Sequence, residues 1–211
     1  MSVVHCILSL TEEELEQAVN LHLAAYEGDT AIKIMIGGDW SLHPLLARAM
    51  LRAALLEGHM YAVKDDETNA IVSFGLWFEP GVVIFSTEAQ RALGYDELFR
   101  KLKPEVQHWW TNAYPETIKK YGEPLFTEQQ KTKRWWCANL VTDLNHQGRG
   151  HATAIVNAVR SKASESDNFI ALATHTALNV SKYKAMGLRE VGDHILPSPI
   201  QDLHMHYMIR D

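Results

Sequence analysis

The stretch from residue 134 to residue 163 constrains the fold more than any other part of the chain. Residues 134–143 form a long apolar run that predicts a buried strand, and residues 150–163 carry apolar side chains at helical spacing. The turn between them contains Gly148, Arg149 and Gly150. A strand that passes through a short turn directly into a helix is typical of α/β proteins, so the sequence places a sheet at the centre of the molecule.

This turn also has the chemistry of an anion-binding site. The first N–H groups of a helix lack acceptors within the helix and lie at the positive end of its dipole. Glycines let the main chain approach a phosphate closely, and Arg149 adds positive charge. We therefore predict that a phosphate or pyrophosphate group binds at the start of this helix.

The spacing of the turn distinguishes among phosphate-binding motifs. The dinucleotide fingerprint needs a third glycine where this chain has Thr153, and the P-loop needs a lysine where His151 follows Gly150. The residues Gln147-x-x-Gly150-x-Ala152 instead match Gln/Arg-x-x-Gly-x-Gly/Ala, the acyl-CoA motif of the GCN5-related N-acetyltransferase (GNAT) superfamily. At this segment the chain resembles that superfamily.

A second segment carries the same resemblance. The residues Asn179-x-x-x-Tyr183-x-x-x-Gly187-Leu188 are similar to the family's Asn-x-x-x-Tyr-x-x-x-Gly-Phe, with Leu188 in place of the usual phenylalanine. One strand is predicted between the two motif-bearing helices, as the family requires. The motifs cover residues 135–191, whereas the N-terminal half resembles the family, in the style of its fungal members, only through its order of elements.

The whole chain predicts one domain. Its 211 residues suit a single GNAT domain over residues 1–211. Strands and helices are expected in an order that predicts an α/β (α+β) fold with a mixed central sheet and helices on both faces. Residues 82–133 are irregular and rich in charged and aromatic side chains, and we interpret them as an insertion with helices at 87–101 and 104–121.

The N-terminal half contains clear boundary signals. The sequence Thr-Glu-Glu-Glu at residues 11–14 predicts a capping box at the start of a first helix. Ser41 is predicted to cap a second helix that ends at Gly58. Residues 59–64 and 70–78 then predict a β-hairpin with a polar turn.

The resemblance implies an acetyl-CoA (coenzyme A) site between two splayed strands that end near Thr142 and His175. Leu140 and Thr142 would offer main-chain groups to the pantetheine arm, and Asn179 would contact the thioester arm. The cofactor-binding residues implied in this way are Leu140, Val141, Thr142, Gln147, Gly148, Arg149, Gly150, His151, Ala152, Thr153, Asn179 and Tyr183.

The same resemblance makes Tyr183 the acid that assists the departing thiolate. A thiol has a pKa of about 8.5 and a free tyrosine about 10, so complete proton transfer is uphill by roughly 2 kcal/mol. We therefore expect Tyr183 to donate a hydrogen bond to the developing negative charge and to transfer its proton late.

The sequence does not identify the general base that removes a proton from the amine. An amine with a pKa near 10 is neutral in only about one molecule in a thousand at pH 7, so its deprotonation amounts to about 4 kcal/mol. Several families place a Glu or His where this chain has Trp136. The remaining candidates are Glu79, His175, His204, His206 or a water chain, and His175 is our first choice as a catalytic residue. Glu79, Trp136, His204 and His206 are predicted to contact the substrate.

Four tryptophans cluster around the insertion. Trp109, Trp110, Trp135 and Trp136 predict either an aromatic acceptor pocket or an anchor for the insertion. Because neighbouring residues of a strand point to opposite faces, only one of Trp135 and Trp136 can line a pocket.

The resemblance implies an acyltransferase that moves an acetyl group from acetyl-CoA to an amine by direct attack in a ternary complex. A net charge of −6 argues against a nucleic-acid partner and mildly favours amine acceptors. A small-molecule amine is the preferred acceptor. The alternatives are a protein or peptide N-acetyltransferase and a non-catalytic acyl-CoA-binding module.

Composition sets the expected surroundings of the protein. No apolar run reaches the 18 residues of a membrane span, and two cysteines cannot form a disulfide framework. We expect a cytoplasmic monomer or homodimer with no membrane partner. His204 and His206 share one face of a predicted strand, but their surroundings do not predict a metal site.

Overall fold

The computed structural model describes residues 2–211 and contains one seven-stranded mixed sheet. The strands lie in the order β1-β2-β3-β4-β5-β7-β6, and only the β4–β5 pair is parallel. Their bounds are β1 Val4–Ile7, β2 His59–Lys64, β3 Ile71–Phe78, β4 Arg134–Thr142, β5 Phe169–Thr174, β6 Arg189–Leu196 and β7 Leu203–Arg210.

Helices cover both faces of the sheet, as predicted. One face packs against α1 and α3, and the other packs against α7 and α8. The helical segments are α1 Glu12–Ala25, α2 Thr30–Met35, α3 His43–Glu57, α4 residues 88–101, α5 residues 104–122, α6 Glu128–Lys131, α7 His151–Ser164 and α8 Ala177–Ala185. The predicted capping box is present at the start of α1.

The structure corrects the prediction for Ser41. The Asp39 carboxylate accepts hydrogen bonds from the Ser41 N–H and hydroxyl, and these bonds stabilise a 3₁₀ turn over Trp40–Leu42. Helix α3 begins after that turn without a side-chain cap, and a proline lies in its first turn. Ser41 is therefore inside the turn and caps nothing.

The segment between β3 and β4, residues 82–133, for which we keep the name insertion, packs over one end of the sheet through its tryptophans. The indole N–H of Trp109 donates to the Pro197 carbonyl at 2.7 Å, and that of Trp110 donates to the Met35 carbonyl at 3.0 Å. Pro197 lies in the β6–β7 connection, and Met35 ends α2. These bonds fix α5 across the open end of the sheet.

Strands β4 and β5 separate at the centre of the sheet. They pair in parallel only as far as Cys137 and Leu172, although β4 continues to Thr142 and β5 to Thr174. The opening between these strand ends, which we name the strand gap, leaves main-chain groups of β4 without a strand partner on that side.

A β-bulge at Ala138 decides what faces the strand gap. Leu76 pairs with Asn139 and Trp77 pairs with Cys137, so Ala138 is an extra residue in β4. Cys137 packs on the α7 face, whereas Val141 packs on the α1–α3 face, although four residues of regular strand would keep them on one face. The bulge therefore reverses the faces of β4 just before the strand gap.

Candidate active site

Two cavities meet at the strand gap. The first, the loop cavity, has a volume of about 540 Å³ and extends to the glycine turn before α7. The second, the inner cavity, has a volume of about 180 Å³ and lies beneath the insertion. The residues that line both cavities are Tyr26, Asp29, Leu140, Asn179 and Tyr183.

The glycine turn has the backbone shape that the sequence predicts. Gly148 has φ 75° and Gly150 has φ 84°, in the left-handed region where a side chain is strained. Gly150 is the N-cap residue of α7, so the unbonded N–H groups of the first turn open toward the loop cavity. The geometry is that of an anion site at a helix N-terminus.

Charged side chains around the turn are arranged differently from the prediction. Every predicted cofactor-binding residue lines the loop cavity except Arg149, whose guanidinium donates to the Asn145 carbonyl at 3.0 Å. Lys182 of α8 lines the cavity instead. The sequence signal for this lysine was its place inside the second motif, directly before Tyr183.

Two histidines flank the turn and are held by polar contacts. His146 Nδ1 lies 2.7 Å from the Asp143 carboxylate, and His151 Nδ1 lies 2.8 Å from the Ser2 hydroxyl. Burial lowers the pKa of His151, and nearby His146 and Arg149 lower it further. His151 is therefore a neutral wall of the loop cavity at pH 7.

Helix α8 presents the second motif to both cavities. The Thr176 side chain accepts the Asn179 N–H at 3.1 Å and so fixes the start of the helix. Asn179 and Tyr183 are four residues apart and share one face. Burial raises the pKa of the Tyr183 hydroxyl well above its usual value, and Cys137 and Tyr26 raise it further. The hydroxyl is therefore protonated and able to donate a hydrogen bond.

The inner cavity contains an imidazole–carboxylate pair. His175 Nε2 lies 3.2 Å from Asp29 Oδ2, and both side chains are largely buried. Burial alone would raise the pKa of Asp29, but its hydrogen bonds with His175 and with the Ile32 N–H lower the pKa below the usual value. The carboxylate is therefore charged and faces an imidazole that can take up a proton.

Aliphatic, aromatic and sulfur-containing side chains form most of the remaining wall. Trp136 lines the inner cavity, while Trp135 packs on the opposite face against His59. The insertion contributes Trp109 and Tyr114. Trp109 thus serves both of the roles that the sequence left open, since it lines the cavity and anchors the insertion.

Three predicted substrate-contacting residues are not brought to either cavity. Glu79 directly follows β3 and pairs with His59 at 2.9 Å. The end of β3 lies beside the start of β4, so this pair is away from the strand gap. His204 and His206 pair with carboxylates of β6 at 2.6 and 2.7 Å. Met205 between them lines the inner cavity, so both imidazoles face the other side of β7.

Comparison with solved structures decides the fold. A histone acetyltransferase HPA2 and related acetyltransferase from Corynebacterium glutamicum superposes with a TM-score of 0.63 at 17% identity, over 99% of this chain and 96% of that chain. The chain has the GNAT fold. An arylalkylamine N-acetyltransferase 2 from Aedes aegypti, which also has this fold, gives a TM-score of 0.61 at 11% identity, with 98% of each chain covered.

Further GNAT-fold proteins include the ribosomal-protein-S18-alanine N-acetyltransferase from Escherichia coli. Its TM-score is 0.52 at 11% identity, over 99% of this chain and 92% of that chain. No protein-family model matches the sequence, and no curated protein matches it. Within residues 2–211, no helix combines the length and the apolar character needed to cross a membrane.

Proposed function

We propose that this GNAT-fold protein transfers an acetyl group from acetyl-CoA to the amine of a small molecule. The observation that carries the proposal is the meeting of the two cavities at Tyr183. One cavity ends at a helix N-terminus suited to a pyrophosphate, and the other contains a histidine–carboxylate pair suited to an amine.

The donor side uses the main chain of β4. The Asp143 N–H donates to the Val72 carbonyl, so residues 141 and 143 face β3 and the alternate residues, Leu140 and Thr142, face the strand gap. An extended pantetheine arm can pair with Leu140 and Thr142 as an additional strand would. Its diphosphate then reaches the first turn of α7, near Lys182.

The acceptor side favours a small amine. A volume of about 180 Å³ is below the roughly 300–1,000 Å³ of sites for drug-sized ligands. Among the described residues that line this cavity, Asp29 is the only carboxylate and no lysine or arginine is present. The cavity therefore suits a compact monoamine with an apolar body, and it offers no cation to pair with an acidic substituent.

The arrangement of groups supports direct transfer. His175 accepts one proton from the ammonium group, with the Asp29 carboxylate stabilising the imidazolium, and the neutral amine attacks the thioester carbon. The Leu140 N–H at the strand gap stabilises the oxyanion of the tetrahedral intermediate. When the C–S bond breaks, Tyr183 donates to the departing thiolate, and the second proton that the nitrogen loses restores the tyrosine hydroxyl. Burial raises the pKa of the Cys137 thiol, so this cysteine is not a thiolate and does not form an acyl-enzyme.

A protein acceptor is the second candidate, because the Escherichia coli neighbour is a ribosomal-protein-S18-alanine N-acetyltransferase. The position of α5 disfavours a protein acceptor for this chain. Trp109 and Tyr114 lie across the inner cavity, and the Trp109 indole is bonded to the β6–β7 connection. A peptide would need that contact to open, whereas a small amine fits beneath it.

An amine panel tests the proposed acceptor class. Thiol release from acetyl-CoA is measured with compact arylalkyl and alkyl monoamines, amino acids, polyamines and peptides that carry a free N-terminus or lysine. We expect the monoamines to give the highest kcat/KM, because acidic groups and second charges find no partner in the inner cavity. A higher kcat/KM with peptides than with monoamines would show that the acceptor is a protein or peptide. If no acceptor gives thiol release, the protein would be a non-catalytic acyl-CoA-binding module.

A further inference from the structure

A chain of buried polar side chains runs through the core beneath the strand gap. His43 Nε2 lies 3.0 Å from His22 Nδ1, and His22 Nε2 lies 3.2 Å from Asn139 Nδ2. The same amide nitrogen lies 3.3 Å from the Tyr26 hydroxyl, which donates to the Leu140 carbonyl at 3.2 Å. The chain thus connects α3 and α1 to the strand that faces both cavities.

The hydrogen bonds have a fixed direction. An amide nitrogen can only donate, so Asn139 gives one N–H to His22 and the other to Tyr26. His22 Nε2 is therefore unprotonated, and its Nδ1–H donates to His43. Tyr26 accepts from Asn139, so its own proton points to the Leu140 carbonyl. This assignment gives each of the four contacts one donor and one acceptor, and it leaves the Asn139 Oδ1 atom without a hydrogen-bond partner.

These polar groups lie where apolar side chains would ordinarily pack. The exposed fractions of His22, His43 and Asn139 are 0%, 3% and 7%, and their neighbours are core residues of α1, α3 and β4. Burial lowers the pKa of His22 to about 3, and the neighbouring His43 lowers it as well, so His22 is neutral. Buried polar groups are destabilising unless bonded, so the hydrogen bonds of this network hold its side chains in one arrangement.

The network ends on the peptide groups that flank Leu140. The Asn139 side chain donates to His22 of α1, and the Asn139 main-chain carbonyl accepts a hydrogen bond from the Cys137 thiol at 3.3 Å. The Leu140 carbonyl is held by Tyr26. With both ends fixed, the orientation of the Leu140 N–H at the strand gap is fixed as well.

We propose that His22 and His43 are positioning residues that act through Asn139 and Tyr26 to aim the Leu140 N–H at the thioester oxygen. The inference rests on the proposed acetyl transfer. Neither histidine touches a substrate. Both act by restricting the backbone of β4 just after its bulge, where β4 pairs with β3 but has no β5 partner on the other side.

Substitutions at His22 and Tyr26 test this role. His22→Leu removes the link, His22→Gln keeps one acceptor and one donor, and Tyr26→Phe removes the two bonds that the hydroxyl forms with Asn139 and with the Leu140 carbonyl. We expect kcat per folded molecule to fall about 10- to 100-fold in His22→Leu and Tyr26→Phe, because misplacement of a preorganised donor has an effect of that size. The KM for acetyl-CoA should stay within about twofold, since the oxyanion forms only in the transition state.

Two further variants separate positioning from stability. His22→Gln should recover most of kcat, and His22→Leu combined with Tyr26→Phe should be no slower than Tyr26→Phe alone, because both changes break one chain. His194→Leu, at a buried histidine outside the network, should leave kcat unchanged. If His22→Leu does not fold, Tyr26→Phe carries the same test through its kcat and KM.

Three results would overturn the inference. They are an unchanged kcat in folded His22→Leu and Tyr26→Phe, a rise in KM with no fall in kcat, and an equal loss of kcat in His194→Leu. In each case the wild-type protein transfers acetyl groups normally, so the proposed function stands and only the positioning role is lost. Absence of transfer by the wild-type protein would instead overturn the proposed function.

Discussion

Tyr183→Phe is expected to lower kcat about 10²-fold, the size typical of a group that assists proton transfer, and to leave acetyl-CoA binding unchanged. The hydroxyl lies where both cavities meet, and burial keeps its pKa well above the usual value. The hydroxyl therefore keeps its proton until negative charge develops on sulfur, and it can then donate to the departing thiolate. Its contribution exists only while negative charge develops on sulfur, so the effect belongs to kcat.

The matched control is Tyr95→Phe. Tyr95 belongs to α4 and packs against other aromatic rings of the insertion, and burial raises its pKa to about 12. Removal of its hydroxyl should leave kcat unchanged. Wild-type kcat in Tyr183→Phe, measured by thiol release at saturating amine, would remove Tyr183 from the mechanism.

His175→Gln is expected to lower kcat about 10²-fold as well, because glutamine fills similar space but takes up no proton. The measurement is kcat by thiol release at saturating amine for both proteins. Wild-type kcat in folded His175→Gln would remove His175 as the base.

Asp29→Asn separates the charge of Asp29 from its structural role. An asparagine oxygen can still accept the Ile32 N–H and cap α2, so the helix should remain in place. Loss of the negative charge beside His175 should lower kcat about 10-fold, which corresponds to one charge-assisted hydrogen bond. His204→Gln, at an exposed histidine paired with Asp193, is the control. A loss of kcat in that control and none in His175→Gln would place the base on β7.

Local signals predicted the parts of the site that lie within single elements. The glycine turn and the helix after it are specified by adjacent residues, and the four-residue spacing of Asn179 and Tyr183 places them on one helix face. The alternation of Trp135 and Trp136 correctly predicted that only one of them lines a cavity. In each case the relevant geometry depends on a few consecutive residues.

The missed features depend on contacts between distant segments. Asp29 meets His175 across 146 positions, and no local pattern reports that contact. The bulge at Ala138 reverses the faces of β4, yet the sequence there reads as a continuous apolar strand. The shared face of His204 and His206 was predictable, but not which side it would take, because that depends on the insertion of β7 between β5 and β6.

Transfer of a labelled acetyl group tests the central claim most directly. The protein is mixed with [¹³C]acetyl-CoA and the best amine of the panel, and both amine and protein are analysed by mass spectrometry. We predict one labelled acetyl group on the amine, only when all three components are present, and none on the protein. Bound acetyl-CoA with no labelled amine, or a labelled protein intermediate that forms in the absence of amine, would contradict direct transfer.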